Sequence, residues 1–129
     1  MVKKTTVYID YNGVERKEDH YFNFNKAEIL EMEMSTEGGL AEKIQKIIDS
    51  KEQVEIIKLF KDLVLKSYGV KSDDGKRFIK SPELTKAFTE TEAYSEIFME
   101  LATSADAAAA FVKGIIPADK PSVPAPANK

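Results

Sequence analysis

The hydrophobic period of this chain changes once, and that change limits the folds open to it. Residues 3–11 alternate, with Thr5, Val7, Ile9 and Tyr11 on one face and Lys4, Thr6, Tyr8 and Asp10 on the other. That spacing is the mark of a half-buried strand. From residue 26 onward apolar residues recur at helical spacing. The expected fold is α+β and mostly α. An N-terminal two-stranded β element, at about 4–11 and 18–24, precedes a compact bundle of about five to six helices.

Asn12-Gly13 is a strong hairpin signal. A two-residue Asn-Gly loop pairs Tyr11 with Val14 and sets Ile9 opposite Arg16. A longer polar loop, Asn12 to Asp19, instead pairs the Val7/Ile9 face with His20, Phe22 and Phe24. The longer loop keeps one face apolar, which normally fixes register, and it is the preferred reading.

Helix starts are marked by caps. Asn25-Lys26-Ala27-Glu28 opens a short helix to about Met34, presenting Ile29, Leu30 and Met32 or Met34. Gly38-Gly39 is a joint. Leu40, Ile44, Ile47 and Ile48 form one stripe on the next helix. Asp49-Ser50-Lys51-Glu52 signals a turn or kink near Asp49, again through a cap followed by Glu. The longest helix, Glu52 to Tyr68, carries Val54, Ile56, Ile57, Leu59, Phe60, Leu63, Val64 and Leu65, too wide a set for one buried stripe. Gly69 is expected to end it, with Val70 making the hydrophobic contact of a C-terminal cap. Asp73-Asp74-Gly75 is a turn between Val70 and Phe78-Ile79, forming a miniature hairpin.

Three more helices open at Ser81-Pro82-Glu83, at Thr89-Glu90-Thr91-Glu92 with the Thr-x-x-Glu spacing of a capping box, and at Ser104-Ala105-Asp106. Their apolar sets are Leu84 and Phe88; Tyr94, Ile97, Phe98 and Leu101; and Phe111, Val112 and Ile115. Phe98 is expected in the core, where Phe98→Ala would cost ~3–5 kcal/mol if fully buried. Residues 117–129 hold four of the five prolines and, apart from Val123, no large apolar side chain. The expectation is a single globular domain over 1–116 and a disordered Pro/Ala-rich tail or linker over 117–129, dispensable for folding.

Chemistry is sparse. The single histidine, His20, lacks the Cys or second His that a metal centre would need. The Asp73-Asp74-Gly75 turn lacks the alternating acids and closing Glu of a calcium loop. Glu90, Glu92, Glu96 and Glu100 read as a solvated helix face with helix-start acids. No phosphate-binding Gly loop and no cysteine is present. No enzyme, catalytic residue, metal or cofactor is expected. A net charge of −3 with scattered basic residues argues against nucleic acid, and no apolar run reaches membrane-spanning length.

The segment from Lys76 to Pro117 resembles tail assembly chaperones of long-tailed phages of Gram-positive bacteria. The resemblance rests on Phe78-Ile79-Lys80-Ser81, on Phe88, on the run Thr91 to Thr103, on Phe111 to Pro117, and on Phe24-Asn25-Lys26-Ala27-Glu28-Ile29. It implies a protein that binds the tape measure protein, keeps it soluble and promotes tail tube assembly around it. It implies action in the host cytoplasm during infection and absence from the mature virion. The resemblance also implies a longer product made by ribosomal frameshifting, through which the tail tube protein would be met. The competing reading is a structural tail or head-completion subunit of the virion.

Excess apolar surface supplies the candidates for partner contact: Ile56, Leu59, Phe60, Leu63 and Leu65 on the long helix, with Tyr94, Phe98 and Phe111 downstream. The partner would be an apolar helix of the tape measure or a second copy of the chain.

Overall fold

A computed structural model describes residues 1–116; the expected tail, 117–129, lies outside the described residues. Strands β1 (Val2–Ile9) and β2 (Glu15–Phe22) form the N-terminal hairpin. Helices α1 (Lys26–Ser35), α2 (Leu40–Ser50) and α3 (Gln53–Ser67) follow. Short strands β3 (Tyr68–Lys71) and β4 (Phe78–Ile79) come next, then α4 (Pro82–Thr89), α5 (Glu92–Thr103) and α6 (Ala105–Ile115). The fold is α+β and mostly α, as the change of period indicated.

The hairpin takes neither anticipated register. Val7 faces Lys17 and Ile9 faces Glu15, while Val2 faces Phe22 and Lys4 faces His20. The Asp10 side chain sets this pairing. Its Oδ1 accepts from the backbone N–H groups of Asn12 (2.9 Å) and Val14 (3.0 Å), and its Oδ2 accepts from Arg16 Nε at 2.7 Å. The Asp10 N–H donates to the Val14 carbonyl at 2.9 Å. An aspartate that gathers the loop's own N–H groups competes with the plain Asn-Gly turn. The buried face is therefore Val2, Lys4, Thr6 and Tyr8, and the preferred apolar face is turned outward, with Val7 54% and Ile9 56% exposed.

The miniature hairpin forms where expected, turning on Ser72 to Arg77. Its role was not anticipated. Strand β3 pairs with β2, Phe22 opposite Tyr68, so the two hairpins join in one four-stranded sheet ordered β1-β2-β3-β4. Helix α3 runs straight into β3, with Tyr68 as its C-cap in extended conformation. Gly69 is thus a strand residue rather than a helix cap. A side chain there would meet Phe78, whose Cε2 lies 2.6 Å from the position a Cβ would take, so the glycine lets that ring cross the strand.

Capping follows the sequence closely elsewhere. Asn25 and Glu28 form a reciprocal capping box on α1. Ser81, Thr91 and Ser104 each accept from an N–H of the first turn of α4, α5 and α6. Helix α2 starts differently. Gly39 precedes it at φ 93°, and Glu33 of α1 accepts from the Leu40 N–H at 3.0 Å. The chain turns after Ser50 through Lys51 in the left-handed region. Glu52, not Asp49, is the N-cap of α3 and makes no side-chain cap bond.

Helices α5 and α6 pack on the Val2, Lys4 and Thr6 face of β1. Lys4 reaches Glu100 of α5 at 2.8 Å, and Gly114 of α6 abuts Val2. Phe22, Phe24, Ile29, Ile44, Leu59, Leu63, Val64, Phe88, Ile97, Leu101, Phe111 and Ile115 form one buried cluster. At its sheet side Phe88 stacks on Tyr68, centroids 4.2 Å apart and planes 7° apart, and touches the rings of Phe22, His20 and Tyr94. Phe98 lies outside this cluster, half-buried and stacked on Tyr94 at 5.8 Å.

Burial depth ranks these two aromatics. Phe88→Ala should cost ~3–5 kcal/mol in urea unfolding, the full cost of a large buried ring and its cavity. Phe98→Ala should cost clearly less, because part of its ring stays in water. Equal losses would place Phe98 in the core with Phe88.

Candidate functional site: an apolar groove

A groove of about 620 Å³ lies between the α2–α3 pair and the α5–α6 pair. Helix α2 contributes Ile44, Gln45 and Ile48, and α3 contributes Gln53, Ile56, Ile57 and Phe60. The end of α5 supplies Leu101 to Thr103, and α6 supplies Ala105, Ala108, Ala109, Val112 and Lys113. Among these lining residues Lys113 alone is charged.

The sequence explains why the groove is open. Helix α6 is held down by Phe111 and Ile115, both buried, while Ala105, Ala108 and Ala109 lie along the groove. Alanine is an excellent helix former with almost no volume, so α6 keeps its backbone and leaves space above it. Phe60, Leu101, Ala108 and Ile44 are buried and make the floor. Ile48 and Ile57, each 39% exposed, stand at the rim. Apolar rims of this kind mark contact surfaces more often than isolated exposed residues do.

The eight candidate residues separate. Ile56 and Phe60 line the groove. Leu59, Leu63 and Phe111 are buried in the core. Leu65 borders a different, shallower depression shared with Lys66, Tyr68, Lys80 and Lys86. Tyr94 and Phe98 are half-buried and stack on each other away from the groove. The wide apolar set of α3 thus divides between core and groove. The missed contributors are Ile44 and Ile48, read as a simple core stripe, and the alanines of α6. Their signal was present as a run of small residues on one helix, which says nothing until its neighbours are known.

Among the described residues no group of His, Asp and Glu is placed to hold a metal, and no helix is long and apolar enough to cross a membrane. Asp10 and Asp74 titrate below the ordinary aspartate range chiefly because loop N–H groups bond their carboxylates. Tyr8 is raised, first by its hydrogen bond to Glu18 at 2.7 Å.

A family model for phage tail assembly chaperones matches residues 1–122. The chain belongs to that family. No curated protein and no solved structure matches it. Membership gives the chaperone a role in tail assembly, and a site suited to that role is a surface for a protein partner. The groove has that character: apolar and several helices wide.

His20 of the chaperone is structural. Its ring lies 5.2 Å from that of Phe88, and its Nδ1 is buried without a hydrogen-bond partner among the described residues. Burial holds its pKa below the ordinary histidine value, against the smaller opposing pull of Glu18 and Asp19. The folded state therefore prefers the neutral ring. Above about pH 6.5, the unfolded value, this preference leaves stability unchanged. As pH falls through that value the unfolded chain takes up the proton first and stability declines, until the folded ring also protonates. Unfolding measured from about pH 7.5 to 5 should show the wild type losing more stability than His20→Phe. A pH-independent difference would show that this protonation is not linked to folding.

Proposed function

We propose that the chaperone binds an apolar helical segment of the tape measure protein in the α2–α3/α5–α6 groove, keeps that protein soluble, and promotes tail tube assembly around it. The observation that carries this reading is the groove itself, apolar along four helices, with Ile48 and Ile57 exposed at its rim. A helix of about 10–12 Å diameter is recognised in such a groove through anchors at i, i+3, i+4 and i+7. The long tape measure, rich in apolar helix, would aggregate without cover. The reading places the protein in the host cytoplasm during infection, as a late protein absent from the finished virion. A frameshift-extended product would bring in the tail tube protein.

Ala109 separates folding from binding. It is exposed on α6 and lines the groove, so Ala109→Arg blocks the groove without disturbing the core. Co-expressed with the tape measure protein, this variant should leave it insoluble, and association should weaken at least ~10-fold, about 1.4 kcal/mol. Circular dichroism should stay that of the wild type. A folded Ala109→Arg variant that still solubilises the tape measure would move the site off this groove. Mass spectrometry of purified virions tests the alternative of a structural tail or head-completion subunit, which would be found there.

A further inference from the structure

Strand β1 is a long open edge. The order β1-β2-β3-β4 leaves it paired on one side only. The opposite edge, β4, is two residues long, which is how sheets usually limit edge pairing. β1 is eight residues long, contains no Pro or Gly, and pairs with β2 in continuous register. Among the described residues, none of its backbone groups bonds to any element but β2.

The space beside this edge has a defined chemistry. On the helix side, Glu96 and Glu100 of α5 line one cleft with Lys4, Thr5, Thr6 and Val7. Glu100 is engaged by Lys4, while Glu96 has no ion-pair partner among the described residues. On the other side Val7 and Ile9 are exposed. A strand added here must place a cation toward the helices and must suit a pleated, half-apolar surface. Strand β1 itself, Val2-Lys3-Lys4-Thr5-Thr6-Val7-Tyr8-Ile9, meets both requirements.

We propose that β1 pairs antiparallel with β1 of a second copy across a two-fold axis at Thr5. An axis perpendicular to the sheet keeps both helical layers on one side, so opposing residues must share a face. Thr5 then faces Thr5, Lys4 faces Thr6, Lys3 faces Val7 and Val2 faces Tyr8. Lys4 of each copy arrives beside Glu96 of the other. An ammonium has three donors and can hold its own Glu100 together with that carboxylate. The stem of Lys3 covers Val7. The contact is isologous and closed, joining two four-stranded sheets into one.

The chain has no cysteine, so cross-linking reports the register directly. The wild type should sediment as a dimer at concentrations on the order of 10–100 µM. Thr5→Cys should oxidise to a disulfide-linked dimer, because its partner is its own copy. Lys3→Cys and Val7→Cys should each stay uncross-linked alone and form a mixed disulfide when combined. Thr5→Lys retains a cross-strand partner in Asp19, which faces it on β2, and sets like charges on the axis; it should be a folded monomer by circular dichroism and sedimentation. A monomeric wild type over that range overturns the proposal. So does a dimer that Thr5→Cys does not trap, or cross-linking by Val7→Cys alone. If Thr5→Lys fails to fold, the cysteine pattern alone decides.

Discussion

Phe22 is the point on which the two halves of the molecule depend. It ends the second strand, is fully buried, and its ring meets those of Tyr68, Phe88 and Phe111 within 5.3–5.9 Å. One side chain thus joins β2, β3, α4 and α6. The neighbouring backbone continues the join: Asn23 N–H donates to the Ser67 carbonyl at 2.8 Å, and Phe24 N–H to the Ile115 carbonyl at 2.9 Å. Lys80 closes the same corner. It donates to the Asn23 carbonyl, pairs with Glu28 at 2.8 Å and lies over the ring of Phe24. A two-stranded hairpin is marginal by itself, so covering this one with helices is what makes the sheet possible.

The groove follows from how the remaining helices meet that platform. Helix α3 packs on α2, α5 and α6, and its buried residues Leu59, Leu63 and Val64 are used in doing so. The first turns of α3, with Val54 and Ile57, extend past the core and stay exposed. Were α6 lined with Leu in place of Ala105, Ala108 and Ala109, its side chains would fill the gap and the helices would form an ordinary closed core. Small residues on one helix beside large ones on its neighbours make a cleft instead.

Sequence reasoning read local structure well because its signals are local. The capping box at Asn25 and Glu28 and the hydroxyl caps at Ser81 and Ser104 depend on residues three apart, and all are present; the Thr89-to-Glu92 spacing was misread, since Thr89 ends α4 and Thr91 caps α5. The strand faces of β1 were misread because both faces alternate. Val7 and Ile9 outrank Lys4 and Thr6 in hydrophobicity, but the Asp10 loop and the demand that Phe22 lie under the helices fixed the opposite choice. Gly69 was misread because a glycine after a helix usually caps it, and only the distant Phe78 ring explains it here. For the groove, Ile56 and Phe60 were found through the excess apolar width of α3. The alanine wall was not, since small residues acquire meaning only from what surrounds them.

The groove and the open edge share no residue. The groove uses α2, α3, the last residues of α5 and α6, whereas the edge uses β1 and the Glu96 to Glu100 stretch of α5. Two copies joined at Thr5 therefore each keep their groove. On the proposed reading, such a dimer would present two binding sites at a fixed separation to a partner with apolar helical segments in series. Once one segment is held, the next is captured as an intramolecular event at high effective concentration. Single grooves of modest affinity then suffice to keep a long helix covered. Were each contact weak when taken alone, the partner would also be released stepwise as a competing surface arrived. Coverage that is collectively strong and individually reversible is what an assembly chaperone needs.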